Sequence, residues 1–395
     1  MRVVVVGAGL VGCASAWALA QRGADVLVLE RGAFAELAAS RAAAGILGAQ
    51  LEDHPSAAML DLCVASRERF PSFIAEIETA SDMHVGYRTC GTMRAAFTDA
   101  QRDVLASEVE RQRTAGYDAE LLDGAAARRL EPALSTAVLA AASFPRDGVL
   151  DPPKLLEALR IAAGKAGVAF RCRVAVTGLE QRGERVVGVR VRDEHGVRDV
   201  VSADQVVVSA GSWSTLIDDL EPMGIAPDLI VPARGQMIEL TTSSPPVGRV
   251  VDGPGAYLSP RSDGRVLVGS TVELVGHERA VTAAGAKAML DGALALVPSL
   301  AEARVTDHWC GFRALTPDQL PILSRGPREG LLLASGHFRN GVVLAPLTAA
   351  VVADLAMGVE PSVDLAPFSL DRFTRASTRD HAVHGSPVRA ADPSP

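Results

Sequence analysis

A chain of 395 residues with 48% hydrophobic and 22% charged side chains has the make-up of a globular protein, with room for two domains around a substantial core. Its net charge of −8, without any lysine- or arginine-rich run, argues against a nucleic-acid surface. Beyond the N-terminal unit no uncharged apolar stretch reaches the roughly 18 residues of a membrane span, and the five scattered cysteines, lacking any CxxC, favour free thiols in a reducing, cytoplasmic setting over disulfides or zinc.

Val3 to Val6 are β-branched and too few for a helix, so they read as a strand buried on both faces. Gly7, Gly9 and Gly12 follow as GxGxxG, Leu10 to Ala20 read as a helix ended by Gly23, and Asp25 to Leu29 form a second strand that stops at Glu30. That order is the dinucleotide-binding βαβ unit: glycines for the tight turn, for close backbone approach to a pyrophosphate and for helix–strand packing, and an acid about 20 residues on for a ribose hydroxyl. A secretory signal peptide is the rival reading, because Arg2 precedes an apolar run, but the buried strand that follows it does not resemble a mature N-terminus.

Residues 33–50 are rich in Ala, Gly and Ser, small enough to let backbone lie against a ligand, and put forward Ser40, Ala44 and Gly45. One helical pattern runs from about Ala57 to Thr79, with Phe70, Phe73, Ile74 and Ile77 on one face, and an amphipathic helix ends near Arg113. Asp151 and two prolines open another helix, to Gly164, which feeds a strand over Val168 to Val176 in the parallel sheet. Arg185–Val191 and Val197–Val201 pair as a hairpin, and Gln205–Gly211 reads as a sheet strand ending under a cofactor. Residues 229–275 are strand-rich, with an Asp-Gly turn at Asp263-Gly264, and Thr282 to Val297 are helical. The pattern predicts an α/β protein: a Rossmann-like nucleotide domain assembled from discontinuous segments 1–83, 141–212 and 302–365, an antiparallel-sheet substrate domain from 84–140 and 213–301, and a partly mobile tail from 366 to 395.

Near the C-terminus, charge interrupts otherwise strand-like sequence in Asp307–Leu323 and Leu331–Pro346, and Gly341 is expected to open a helix running to Met357 whose positive end faces the preceding loop. GAGLVG with Glu30, SRAAAGILGA at 40–49, YLSPR at 257–261, GFRALTPDQLPIL at 311–323 and GHFRNGVVLAP at 336–346 together resemble the D-amino-acid-oxidase-like FAD oxidoreductases, and among these most of all the glycine oxidases of thiamine biosynthesis.

The resemblance implies non-covalent FAD, a small amino acid and oxygen as substrates, an imine and hydrogen peroxide as products, and a homotetramer. It carries FAD contacts to Leu10, Val11, Glu30, Arg31, Ala39, Ser40, Ala44, Gly45, Ile46 and Val176, and wraps His337, Phe338, Arg339, Asn340, Gly341, Val342 and Val343 around the flavin. Arg313 would hold the substrate carboxylate, with Tyr257 and Arg339 beside it, since a guanidinium matches a carboxylate bidentately and stays charged in a dry pocket. The alternative for Arg313 and Arg339 is pairing with acids such as Asp307 or Asp318, and for Tyr257 a place in the core. Hydride transfer from a neutral amine needs no protein acid or base, and no metal cluster is apparent. Ile46 stands where the resembling enzymes carry methionine, as a pocket wall. Cys310 falls one residue short of the position at which sarcosine oxidases attach flavin, which is Gly311 here. A dehydrogenase passing electrons to another acceptor, or a dinucleotide-binding protein without turnover, remains the alternative.

Overall fold

The structure, a computed structural model, describes residues 1–376; the expected tail beyond 376 lies outside the described residues. Arg2–Val6 (β1), Leu10–Gln21 (α1) and Asp25–Leu29 (β2) form the βαβ unit, with β1 parallel to β2 and Val3 opposite Val26. β1 is central in a six-stranded sheet ordered Ile322–Arg325, Leu331–Ser335, Gln205–Val208, β1, β2, Ala169–Arg171, so Val3, Val4 and Val5 are fully buried. Four buried valines at ~1.5–3 kcal/mol each make this strand a large part of the core it crosses. Apolar apart from Ser15 and the exposed Gln21 at its end, and so buried on most sides, α1 packs against Pro152–Lys165 and Ala345–Ala356.

An eight-stranded sheet runs Arg304–Leu315, Val231–Thr241, Arg265–Gly269, Ala256–Pro260, Val250–Gly253, Thr92–Ala96, Ala140–Phe144, Glu120–Asp123. A three-stranded sheet, Val174–Arg182, Arg185–Asp193 and Arg198–Ser202, contains the expected hairpin. Two of the expected domain segments differ from this pairing. Ala140–Phe144, of which 141–144 were assigned above to the nucleotide domain, and Arg304–Leu315, assigned there entirely, ladder into the eight-stranded sheet, the latter along the whole of Val231–Thr241.

Other elements are shorter than the sequence pattern suggests, each for a local reason. The 57–79 helix is two, Ala57–Arg67 and Phe70–Ser81, because Pro71 cannot sit mid-helix but suits a first turn. The strand expected over 168–176 divides at Arg173, which turns in the left-handed region with φ 59°, so Ala169–Arg171 pairs with β2 and Val174 starts the other sheet. The last long helix begins at Ala345 and not at Gly341, again placing a proline, Pro346, in its first turn. Residues 366–376 are built into the fold: Phe368 and Leu370 are buried, and Arg372 binds Asp318 at 2.7 Å. No helix among the described residues is long and apolar enough to cross a membrane.

Candidate active site

One cavity of about 1000 Å³ runs from the C-terminal ends of β1 and β2 to the face of the eight-stranded sheet. Its dinucleotide end starts at Gly7, whose φ of 102° suits glycine, and at Gly9, where an added Cβ would find its nearest neighbour 3.8 Å away. The N-terminus of α1 has no side-chain cap on its Gly9 end and no acid in its first turn, so its positive dipole end and the N–H groups of Val11 and Gly12 are available to phosphate. Leu10 N–H donates to Ser40 Oγ at 3.2 Å, and Glu30 Oε2 accepts from Ala8 N–H at 2.9 Å, fixing the helix start and the acid together. Both the cavity's volume and this donor set fit a dinucleotide.

Of the residues named from sequence, Gly7, Gly9, Leu10, Val11, Glu30, Arg31, Ala39, Ser40, Ala44, Gly45, Ile46 and Val176 line the cavity, as do Tyr257, Arg313, His337, Phe338, Arg339, Gly341 and Val342. Gly12, Asn340 and Val343 do not. A Cβ on Gly12 would meet the Gly7 carbonyl oxygen at 2.0 Å, which is the helix–strand packing role; Val343 is in the core, and Asn340 is buried with its Oδ1 unpartnered. Cys310 is buried outside the lining, whereas Gly311 lines it without a side chain and has Ala42 Cβ 2.5 Å from where its own Cβ would be. The loop from Gly336 is anchored by buried His337, which hydrogen-bonds Thr348 Oγ1 at 3.1 Å and is pushed down to about 4 by burial, so it is neutral near pH 7.

At the substrate end Arg313 has no acidic partner. Its Nη1 donates to the Thr271 carbonyl at 3.0 Å and Nη2 to Ser270 Oγ at 2.6 Å, while burial pulls its pKa down from the ordinary value. Asp318 is taken by Arg372. A buried guanidinium with neutral partners keeps its charge available for an incoming anion. Gly235, on the neighbouring strand, makes the room: its Cβ would lie 2.1 Å from Arg313 Nη1. Tyr257 Oη donates to Met237 Sδ at 3.1 Å, and burial raises its pKa against the opposing pull of Arg313, so the phenol stays protonated. Arg339 does have an internal acid, one the sequence reading did not name: Glu52, at 3.3 Å.

Sequence reasoning also missed an aromatic stack beside the dinucleotide end. The His277 ring lies on Trp213 with centroids 3.6 Å apart and 11° between planes, and the Arg31 guanidinium is 4.0 Å from the Trp213 ring centre. Burial, then Arg31, holds His277 below its usual pKa. The only signal for Trp213 was its place just after the strand at Gln205; His277 and Glu52 had none.

A parallel nucleotide sheet, a glycine turn under a helix start and a second antiparallel domain sharing one cavity define a two-domain dinucleotide-dependent oxidoreductase. Residues 2–355 match the family described as DAO, FAD dependent oxidoreductase, and the chain belongs to it; its cofactor is FAD. The chain is 36% identical over 399 aligned positions to the bifunctional protein ThiO/ThiG of Synechocystis, covering 99% of this chain but 57% of that protein. The chain therefore spans little more than half the length of such bifunctional relatives. It is 33% identical to the glycine oxidase of Geobacillus kaustophilus over 94% of this chain and 96% of that one. The crystal structure of glycine oxidase from that organism superposes with a TM-score of 0.87, covering 93% of this chain.

Proposed function

We propose that the protein oxidatively deaminates glycine or another small amino acid to the imine, reduces oxygen to hydrogen peroxide, and supplies the imine to thiazole formation in thiamine biosynthesis. The observation that carries this reading is Arg313: a buried cation with only neutral partners, in the same cavity as the dinucleotide end. FAD supplies the hydride acceptor and the route for electrons to oxygen. The protein's own residues then have three tasks. Arg313 and the Tyr257 hydroxyl take the substrate carboxylate, which fixes the α-carbon in one orientation. Ala44, Ile46 and Met237 give that end apolar walls that exclude water, and Ile46 narrows it toward glycine-sized substrates. His337, neutral and bonded to Thr348, holds the loop that carries Phe338 and Arg339. No side chain needs to move a proton at the α-carbon, because its hydrogen would leave as hydride while the lone pair of the neutral amine forms the C=N bond. A cytoplasmic location and a homotetramer belong to the same reading by family resemblance.

The test is a flavin spectrum of the purified protein together with peroxide assays on glycine, sarcosine, D-alanine and D-proline. Bound flavin and peroxide from at least one of these are expected. Bleaching without peroxide would replace the oxidase by a dehydrogenase, and a colourless protein that binds NAD would sink the assignment.

A further inference from the structure

We infer that Glu52 sets the charge of substrate that the cavity admits: by neutralising Arg339 it accepts one carboxylate and turns away a substrate bearing a second anionic group. This rests on the reading that Arg313 takes a substrate carboxylate. Two guanidiniums face the substrate end, and they are treated differently. Arg313 meets only a carbonyl and a hydroxyl, whereas Arg339 Nη1 lies 3.3 Å from Glu52 Oε2. Burial alone would pull Arg339 down, but Glu52, together with Tyr257 and Asp252, more than offsets it, so Arg339 stays charged. Arg313, Arg339 and Glu52 sum to +1, which a single carboxylate cancels. A second carboxylate finds no free cation and lies beside Glu52 and a carboxylate already there, a like-charge repulsion that solvent at the half-exposed Arg339 weakens without removing.

Glu52 is also held in place. Gln50 N–H and Leu51 N–H donate to buried Asp147 at 3.3 and 3.2 Å. On the other side Arg94 binds the Leu51 carbonyl, Asp53 at 2.5 Å and Asp252 at 2.8 Å. The group Arg94, Asp53 and Asp252 sums to −1 just outside the cavity lining, and its Asp252 acts on Arg339 in the same sense as Glu52. A charge pinned on both flanks is a fixed element of the wall, and fixed charges discriminate between ligands by repulsion as well as attraction.

The experiment uses the FAD-loaded protein and two probes that do not turn over, acetate and malonate, titrated through the change each makes in the flavin absorbance. Wild type should bind acetate more tightly than malonate. In Glu52→Gln the ratio Kd(malonate)/Kd(acetate) should fall at least 10-fold, and Glu52→Asp, which keeps the charge, should hold it near the wild-type value. In turnover, kcat/KM for iminodiacetate relative to glycine should rise in Glu52→Gln by a similar factor. An unchanged ratio in Glu52→Gln would overturn the inference. So would a wild type that binds malonate as tightly as acetate, a result that stands even if the variant does not fold. Wild type that shows the acetate preference but gives no peroxide from any amino acid would support the gate and count against the oxidase reading instead.

Discussion

Gly7, Gly9 and Gly12 shape one end of the cavity by lacking side chains, whereas Arg313, Tyr257, Glu52 and Arg339 shape the other by presenting them. At the first end the close contacts are backbone to backbone: Gly12 against the Gly7 carbonyl, Gly7 against the Ser209 carbonyl. Such contacts cannot relax without moving β1 or α1, which are both in the core. At the second end most contacts end on side chains, Arg313 on Ser270, Tyr257 on Met237 and Arg339 on Glu52, with glycines at 235 and 269 leaving the room. Changes at the dinucleotide end should therefore cost fold and cofactor together, and changes at the substrate end should cost turnover while the fold survives.

Gly12→Ala is the severest way to test that contrast. Its Cβ would sit 2.0 Å from a carbonyl oxygen and 2.8 Å from Ser209 Oγ, so the backbone must shift, at about 3 kcal/mol or more. Urea unfolding and flavin content should fall together; a variant with parental stability and full flavin would show that the first end is not backbone-limited. Arg313→Met is the counterpart. Removing one charged hydrogen-bond partner of the substrate should lower kcat/KM by roughly 10- to 150-fold, the ~1.5–3 kcal/mol of such a bond, with flavin content and unfolding midpoint close to the parent. Unchanged kinetics would take Arg313 out of the site.

His337, buried in the cavity lining, gives a pH test. Its folded pKa, lowered to about 4 by burial, is below the ordinary 6.5, so the fold favours the neutral ring. Between pH 6.5 and about 4 the unfolded chain takes up a proton that the folded chain refuses, and stability falls as pH falls, by up to roughly 1.4 kcal/mol per unit. His337→Asn should flatten that slope in denaturant titrations across the same window; an equal slope in both proteins would assign the acid sensitivity elsewhere.

The same contrast explains what was legible in the sequence. The first end is a local pattern, thirty residues in which strand, glycines, helix and acid follow in order, and β1, α1 and β2 form where the pattern puts them. Arg313 stood out as a charge in strand-like sequence and Tyr257 came with the family resemblance, but their partners did not show, because Ser270, Thr271 and Met237 reach them only from 20 to 43 residues away. Glu52 lies 287 positions from Arg339, with nothing local to mark it. The domain boundaries failed for a related reason: Arg304–Leu315 reads as a strand wherever it pairs, and only its register with Val231–Thr241 assigns it to the antiparallel sheet. The proline-set helix starts at Phe70 and Ala345 were within reach of local chemistry, since both depend on a proline's missing N–H.

Tyr257→Phe should have the smallest effect and says most about how the substrate end works as a unit. Within the protein the hydroxyl donates to a thioether sulfur, a weak acceptor, and also interacts with Ser270 and Arg313, so deleting it should lower the unfolding midpoint only slightly. If it donates to the substrate carboxylate, kcat/KM for glycine should fall by roughly 2- to 12-fold, the ~0.5–1.5 kcal/mol of a neutral hydrogen bond. The double variant with Arg313→Met then decides whether the two act on one anion. Once Arg313 is gone the carboxylate is poorly held, and the loss from Tyr257→Phe should shrink toward nothing, whereas two residues binding separate groups would give additive losses. Additivity would move Tyr257 from the carboxylate to the wall of the cavity, and would leave Arg313 as the sole anchor beside the Glu52–Arg339 pair.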